Sequence, residues 1–242
     1  MAHPKIIALI GIDGAGKSTQ ASELAEWLAA GGTRAIFCKN PGGRLRLDRL
    51  AHRLGRANAV DLLGVRTLSI VESVVRWLTV TRAVLRSRIW RKVAVMDRYL
   101  DCQYAVLRAR QQEKQADLDG SDAGESGTGE SAAGTNPGPP TGAPPPRSER
   151  LARAMYSVLP RPDLVCFLAV TPTAAQKRIE GRGYDSEKLS YLVALDAAYR
   201  SLPEAEEFVT IDADGSVPSV QSALRDVVAA LPLNDASVAP PP

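Results

Sequence analysis

The chain has 242 residues, 45% of them hydrophobic, and a formal net charge of +3, enough for one sizeable domain with its own core. So small a net charge gives no general attraction for nucleic acid or for an acidic membrane surface. Its three cysteines, Cys38, Cys102 and Cys166, are widely spaced and form no metal pattern, which points to free thiols in a reducing cytoplasm.

The first predicted element is the apolar run Ile6–Ile10, a buried strand that is too short for a secretory signal. It runs into Gly11-Ile12-Asp13-Gly14-Ala15-Gly16-Lys17-Ser18, the pattern G-x-x-x-x-G-K-[ST], followed by Thr19. Leu24, Trp27 and Leu28 fall at helical spacing, so Lys17–Ala30 is a predicted helix. The motif therefore lies between a strand and a helix, the context its chemistry requires. Gly11, Gly14 and Gly16 let backbone N–H groups curl around a polyphosphate at a helix N-terminus. Lys17 brings a charge toward the β and γ phosphates, and Ser18 can offer its hydroxyl to Mg²⁺. These residues predict binding of a nucleoside triphosphate.

Further strands are predicted at Ala35–Cys38, Val93–Met96, Leu164–Val170 and Phe208–Ile211. Helical patterns lie between them at Leu45–Leu54, Leu62–Trp90, Leu100–Lys114, Arg150–Leu159, Thr173–Gly181, Ser186–Leu202 and Pro218–Leu231. Six charged residues interrupt the apolar stretch Leu62 to Ile89 (Arg66, Glu72, Arg76, Arg82, Arg86 and Arg88), so it is no membrane span. Alternating strands and helices predict an α/β, three-layer fold with a mainly parallel five-stranded sheet, and ligands beyond the carboxyl ends of its strands. Residues 1–232 form one expected domain. Asp117 to Arg147 is rich in Gly, Ser, Ala, Thr, Pro and acids; it is expected to be a disordered insert, and 233–242 a flexible tail. Asp97 ends a buried strand, where a carboxylate can hold Mg²⁺ opposite Ser18, and an anion at that edge accounts for Arg98 beside it.

Several motifs in order resemble the thymidylate kinase family. Gly11 to Thr19 looks like its G-x-D-G-x-G-K-S-T, Asn40-Pro41-Gly42-Gly43 its E-P-G-G, and Asp97-Arg98-Tyr99 its D-R-Y. Arg76 precedes Asp97 by 21 positions, the family's spacing from its long-helix arginine. Arg161-Pro162-Asp163-Leu164 is similar to R-P-D-L, and Ala175 to Gly183 to the start of a lid. The resemblance implies a P-loop NTPase fold and γ-phosphoryl transfer from Mg·ATP to a nucleoside monophosphate, dTMP foremost. It implies that Lys17 neutralises the transferring group and that Arg98 grips the acceptor phosphate. Asp13 would face the acceptor sugar and metal, while Arg178 and Arg182 close over ATP. Lys39, Pro41, Glu72, Arg76, Cys102 and Gln103 would line the acceptor pocket. A homodimer through the long helices is also implied.

The base-reading residues depart from that pattern. Glu72 stands where the family carries a phenylalanine to stack on thymine, Cys102 replaces a serine, and Val106 a tyrosine. Lys39 stands where an arginine is usual, and Ser186 and Lys188 alter the lid. Asn40 replaces the glutamate that deoxynucleoside kinases use as a base, which favours a monophosphate acceptor. Two other functions stay open. One is a P-loop kinase for a modified nucleotide or other metabolite, with Glu72 pairing an amino group. The other is an ATP-binding regulator without transfer.

Overall fold

The computed structural model describes residues 5–40, 51–53, 55–57, 59–122, 145–183 and 187–232. Strands β1 (Ile6–Ile10), β2 (Ala35–Lys39), β3 (Val93–Asp97), β4 (Leu164–Ala169) and β5 (Val209–Asp212) form one sheet in the order β2-β3-β1-β4-β5. Every pairing is parallel. β1 and β3 are buried along their whole length, as expected for strands covered on both faces. The register sets Leu9 and Lys39 on either side of Asp97, so the phosphate loop, Lys39 and Asp97 leave the sheet at one edge.

The helices are α1 (Lys17–Ala30), α2 (Ala59–Trp90), α3 (Leu100–Asp122), α4 (Arg147–Tyr156), α5 (Pro172–Glu180), α6 (Leu189–Arg200) and α7 (Val217–Ala229). α1 packs against β2, β3 and α7, and α3 packs against α2, α4 and α6. Gly64 breaks the helical path of α2 with φ 72° and ψ 157°, a backbone open to glycine, so the uninterrupted helix lies beyond it. Of the predicted helix Leu45–Leu54, residues 51–53 are helical and the remainder lies outside the described residues.

Helices flank the low-complexity segment on both sides. α3 continues past Lys114 to Asp122, and α4 begins at Arg147. The interior of the segment and the tail beyond Pro232 lie outside the described residues. A buried ionic cluster fastens the two flanking helices together. Arg108 of α3 donates to both oxygens of Glu149 of α4, at 2.7 and 3.1 Å, and to the Ser201 carbonyl at 2.6 Å. Arg153 donates to Glu149 and Glu204 and lies 4.2 Å over the Tyr104 ring. Glu149 is fully buried and thus matched from two sides, which limits the cost of taking its charge out of water.

Candidate active site

The phosphate loop is held in shape by what lies behind it. Gly11 has φ +141°, and a Cβ there would stand 2.7 Å from the Leu168 carbonyl oxygen of β4. Gly14 has φ +87°, and a Cβ there would stand 2.5 Å from the carbonyl of Ala175 on α5. Both positions exclude a side chain on space and on backbone conformation. The loop turns at Ile12, whose carbonyl accepts from Ala15 N at 3.3 Å, and Gly16 opens α1. Ser18 and Thr19 follow in the first turn and are exposed.

Lys17 is almost fully buried, its Nζ donating to the Ile12 carbonyl at 2.6 Å and lying 3.5 Å from Asp13 Oδ1. Burial, then the Arg98 charge, lowers its pKa below the usual lysine value, against the pull of Asp13 and Asp97. The same Asp13 oxygen accepts from Arg98 at 2.5 Å. Burial would raise the Asp13 carboxyl, but Arg98 and then Lys17 overcome it and hold it well below the carboxylate range. Asp13 in turn raises the pKa of Arg98 against the cost of burial. Arg98 adopts a left-handed backbone, φ 74°, uncommon for a residue with a side chain. Two hydrogen bonds secure it: Arg98 N donates to Leu9 O at 3.0 Å, and Asn40 Nδ2 donates to Arg98 O at 2.9 Å.

Beside this cluster, Ser18 Oγ donates to Asp97 Oδ2. Asp97 Oδ1 is buried with no hydrogen-bond partner, an orphaned acceptor next to the phosphate loop. A hydroxyl beside a carboxylate with a spare oxygen is a donor set that fits Mg²⁺. Among the described residues no group of three or more His, Cys, Asp or Glu side chains could hold a metal. A cation here would therefore complete its shell with phosphate oxygens and water.

Polar rungs join α2 and α3. Arg76 Nε donates to Gln103 Oε1 at 3.1 Å, and Gln103 Nε2 donates to Ser73 Oγ at 3.1 Å. An Arg76 terminal nitrogen lies 3.5 Å from the Asn40 carbonyl, so Asn40 connects Arg76 with Arg98. One turn farther out, Arg110 takes both oxygens of Glu72, at 2.8 and 3.2 Å, and also donates to Ser69 Oγ at 3.1 Å. The carboxylate that sequence reasoning left open for a ligand amino group is already paired. Cys102 is buried, and so is Tyr199 of α6, whose pKa is pushed up by burial and then by the Cys102 thiol.

Other site candidates are spread more widely. Lys39 ends β2 opposite Asp97 and is exposed. Arg178 donates to the carbonyls of Ala213 and Asp214, each at 2.9 Å, which ties α5 to the loop after β5. Arg182 is exposed just beyond α5. Pro41, Gly42 and Gly43, with Tyr184, Asp185 and Ser186, lie outside the described residues. Sequence reasoning missed Ser73, Arg110 and Tyr199. Arg110 lies seven positions after Gln103, two turns on the same helical face, a spacing that could have revealed it.

A parallel sheet in this strand order, with the phosphate loop after its central strand and a carboxylate ending the neighbouring one, defines an α/β fold of the P-loop kinase class. No family model matches the chain. It is 29% identical to the probable thymidylate kinase of Archaeoglobus fulgidus over 231 residues, 92% of this chain and 94% of that one. It is 24% identical to the thymidylate kinase of Chromohalobacter salexigens over 234 residues, 93% and 94% of the two chains. A third match, 29% over 183 residues, is to the thymidylate kinase of Xanthomonas campestris pv. campestris and covers 74% of this chain and 61% of that one. The chain is thus similar to thymidylate kinases, at 24–29% identity over most of its length.

Proposed function

We propose that this protein is an ATP-dependent phosphotransferase that moves the γ-phosphoryl group of Mg·ATP to a nucleoside monophosphate, dTMP foremost. The observation that carries this is the shared carboxylate: Asp13 Oδ1 meets both Lys17 of the phosphate loop and Arg98 of the sheet edge. A donor-side cation and a second cation thus stand within reach of one transferring group. A nucleotide switch needs only the first of them. The thymidylate kinase relatives support the same chemistry.

In this mechanism an oxygen of the acceptor phosphate attacks the γ-phosphorus. The bond from that phosphorus to the bridging oxygen breaks, and ADP leaves with the electron pair. The acceptor is already an anion, so no base is needed, and catalysis is positioning plus charge stabilisation. Lys17 moves from the Ile12 carbonyl to the β and γ phosphates. Arg98 exchanges Asp13 for the acceptor phosphate, its strained backbone keeping the side chain at that edge. Arg182, exposed beyond α5, reaches the donor phosphates from the lid side. Arg178, tied to the loop after β5, positions that loop. Ser18 and Asp97 would hold Mg²⁺, which supplies charge neutralisation on the phosphates when bound.

ADP release, followed by a coupled assay over a panel of monophosphates and nucleosides, tests this. Release that depends on a monophosphate is expected. Turnover of nucleosides with no monophosphate accepted overturns it.

A homodimer in the cytoplasm completes the proposal. Ile70, Leu78, Leu85 and Ile89 form an exposed apolar stripe on α2, between 52% and 72% exposed, which a second copy would cover. Three buried free thiols suit a reducing compartment. Among the described residues no helix is long and apolar enough to cross a membrane. Light scattering of Leu78→Glu against the parent chain checks the dimer: loss of half the mass is expected, and an unchanged mass refutes that interface.

A further inference from the structure

Among the described residues other than glycine, Arg91 and Arg98 alone have a left-handed backbone, at φ 51° and 74°. Arg91 closes α2, where such a residue is ordinary: Lys92 N donates back to Ser87 O at 3.0 Å, the bond that ends many helices. Arg98 has no such local reason. It follows β3, just before α3 begins. Its conformation is held from outside, by residues of the two chain segments that flank β3 in the sheet. From β1, Leu9 O accepts from Arg98 N at 3.0 Å. From the end of β2 comes Asn40, which is 1% exposed and bonds two successive carbonyls. Its backbone N donates to Asp97 O at 3.2 Å, and its side-chain amide donates to Arg98 O at 2.9 Å. The first bond extends the parallel ladder, and any residue but proline could make it. The second takes a side chain with an N–H group. A carboxylate at this position, such as the glutamate of the pattern the chain resembles, would set one acceptor against another.

We propose that Asn40 is a positioning residue for the acceptor phosphate. Its amide fixes the Arg98 peptide, and through that peptide the guanidinium that leaves Asp13 for the phosphate. Asn40 itself does not touch the ligand. The ligand class is a phosphate monoester, and the inference rests on the function proposed above, in which Arg98 grips the acceptor.

The test separates this grip from general damage. Asn40→Asp keeps the size of the side chain and removes its donor, while Asn40→Ala removes the donor without adding charge. Dissociation constants for dTMP, thymidine and ATP are measured by calorimetry, with melting curves for each protein. The same measurements are made on Arg98→Ala and on the double variant Asn40→Ala/Arg98→Ala. The parent chain should bind dTMP roughly tenfold or more tighter than thymidine, since the phosphate meets a charged donor. In both Asn40 variants that preference should fall by about tenfold, with thymidine and ATP affinities held. In the Arg98→Ala background, adding Asn40→Ala should change dTMP affinity by no more than about twofold, because the residue it acts through is gone. A purely structural role would instead weaken dTMP, thymidine and ATP together. A preference undiminished in a folded Asn40 variant overturns the positioning role and leaves phosphoryl transfer to monophosphates standing. Equal loss for dTMP and thymidine, or a full further loss in the Arg98→Ala background, overturns it in the same way. A parent chain that phosphorylates dTMP but binds thymidine as tightly overturns the grip of Arg98 and this proposal with it. A parent chain that neither binds nor phosphorylates any monophosphate overturns the proposed function as well.

Discussion

The phosphate loop and the polar network between α2 and α3 are built by opposite strategies. The loop is a single run of chain, Gly11 to Ser18, whose geometry is backbone and whose shape is enforced by two carbonyls at Leu168 and Ala175. The network is made of groups from distant segments: Asn40, Ser73, Arg76 and Gln103 are joined by hydrogen bonds, and Arg110 bonds Glu72 and Ser69 beside them. Backbone geometry leaves little freedom to drift, because almost any added atom collides. A side-chain network can exchange members one pair at a time, and Glu72 with Arg110 is such an exchange against the pattern the chain otherwise resembles.

Three substitutions would break or sharpen that contrast. The largest effect is expected from Lys17→Ala. It removes the only cation the loop itself carries, and phosphoryl transfer should fall by on the order of a thousandfold or more. Stability should hold or rise, since a buried, desolvated ammonium is lost. Steady-state kinetics and thermal melting check both halves; a mild kinetic loss would show that another group neutralises the γ-phosphate.

Gln103→Leu comes next. It leaves Arg76 and Ser73 without their shared partner. The expected outcome is a roughly tenfold or greater rise in KM for the acceptor, with KM for ATP nearly unchanged. Equal damage to both constants would mean that the two regions are not separable.

The smallest effect belongs to Asp101, in the first turn of α3. Burial, the largest influence, pushes its carboxyl up to about 6 from an ordinary 3.8, and the charge on Glu204 adds to this. Between those values the folded protein holds more protons than the unfolded chain. Stability contributed by this group is therefore present below about pH 4 and lost as pH rises through about 6. Asp101→Asn mimics the protonated form and should gain about 1–3 kcal/mol over the parent chain at pH 7.5, and little at pH 4. Urea unfolding at both pH values tests it; a gain independent of pH would sink the linkage.

Much of the architecture was legible in the chain. The apolar runs at Ile6, Val93 and Leu164 are buried central strands, because only a strand covered on both faces carries no polar alternation. Boundaries were less so. Gly64 breaks α2 inside a stretch whose apolar pattern looks continuous, and α3 runs on into residues with low apolar content, because backbone hydrogen bonds do not depend on amphipathicity. In the site, Lys17, Ser18, Asp97 and Arg98 came together as their order suggested. Arg178 did not stand free toward phosphate; it is fastened to carbonyls that the fold brings from 35 residues away.

By itself the sequence determined the phosphate loop and the alternation of strands and helices, since both are local: neighbouring residues meet wherever the chain goes. Whether a buried charge is available or satisfied is not local. Glu72 looks like a free carboxylate on a helix until the packing of α2 on α3 brings in Arg110, 38 residues away, and closes the pair. That pairing was decided by the tertiary structure, because only helix packing sets which distant side chains share a dry space.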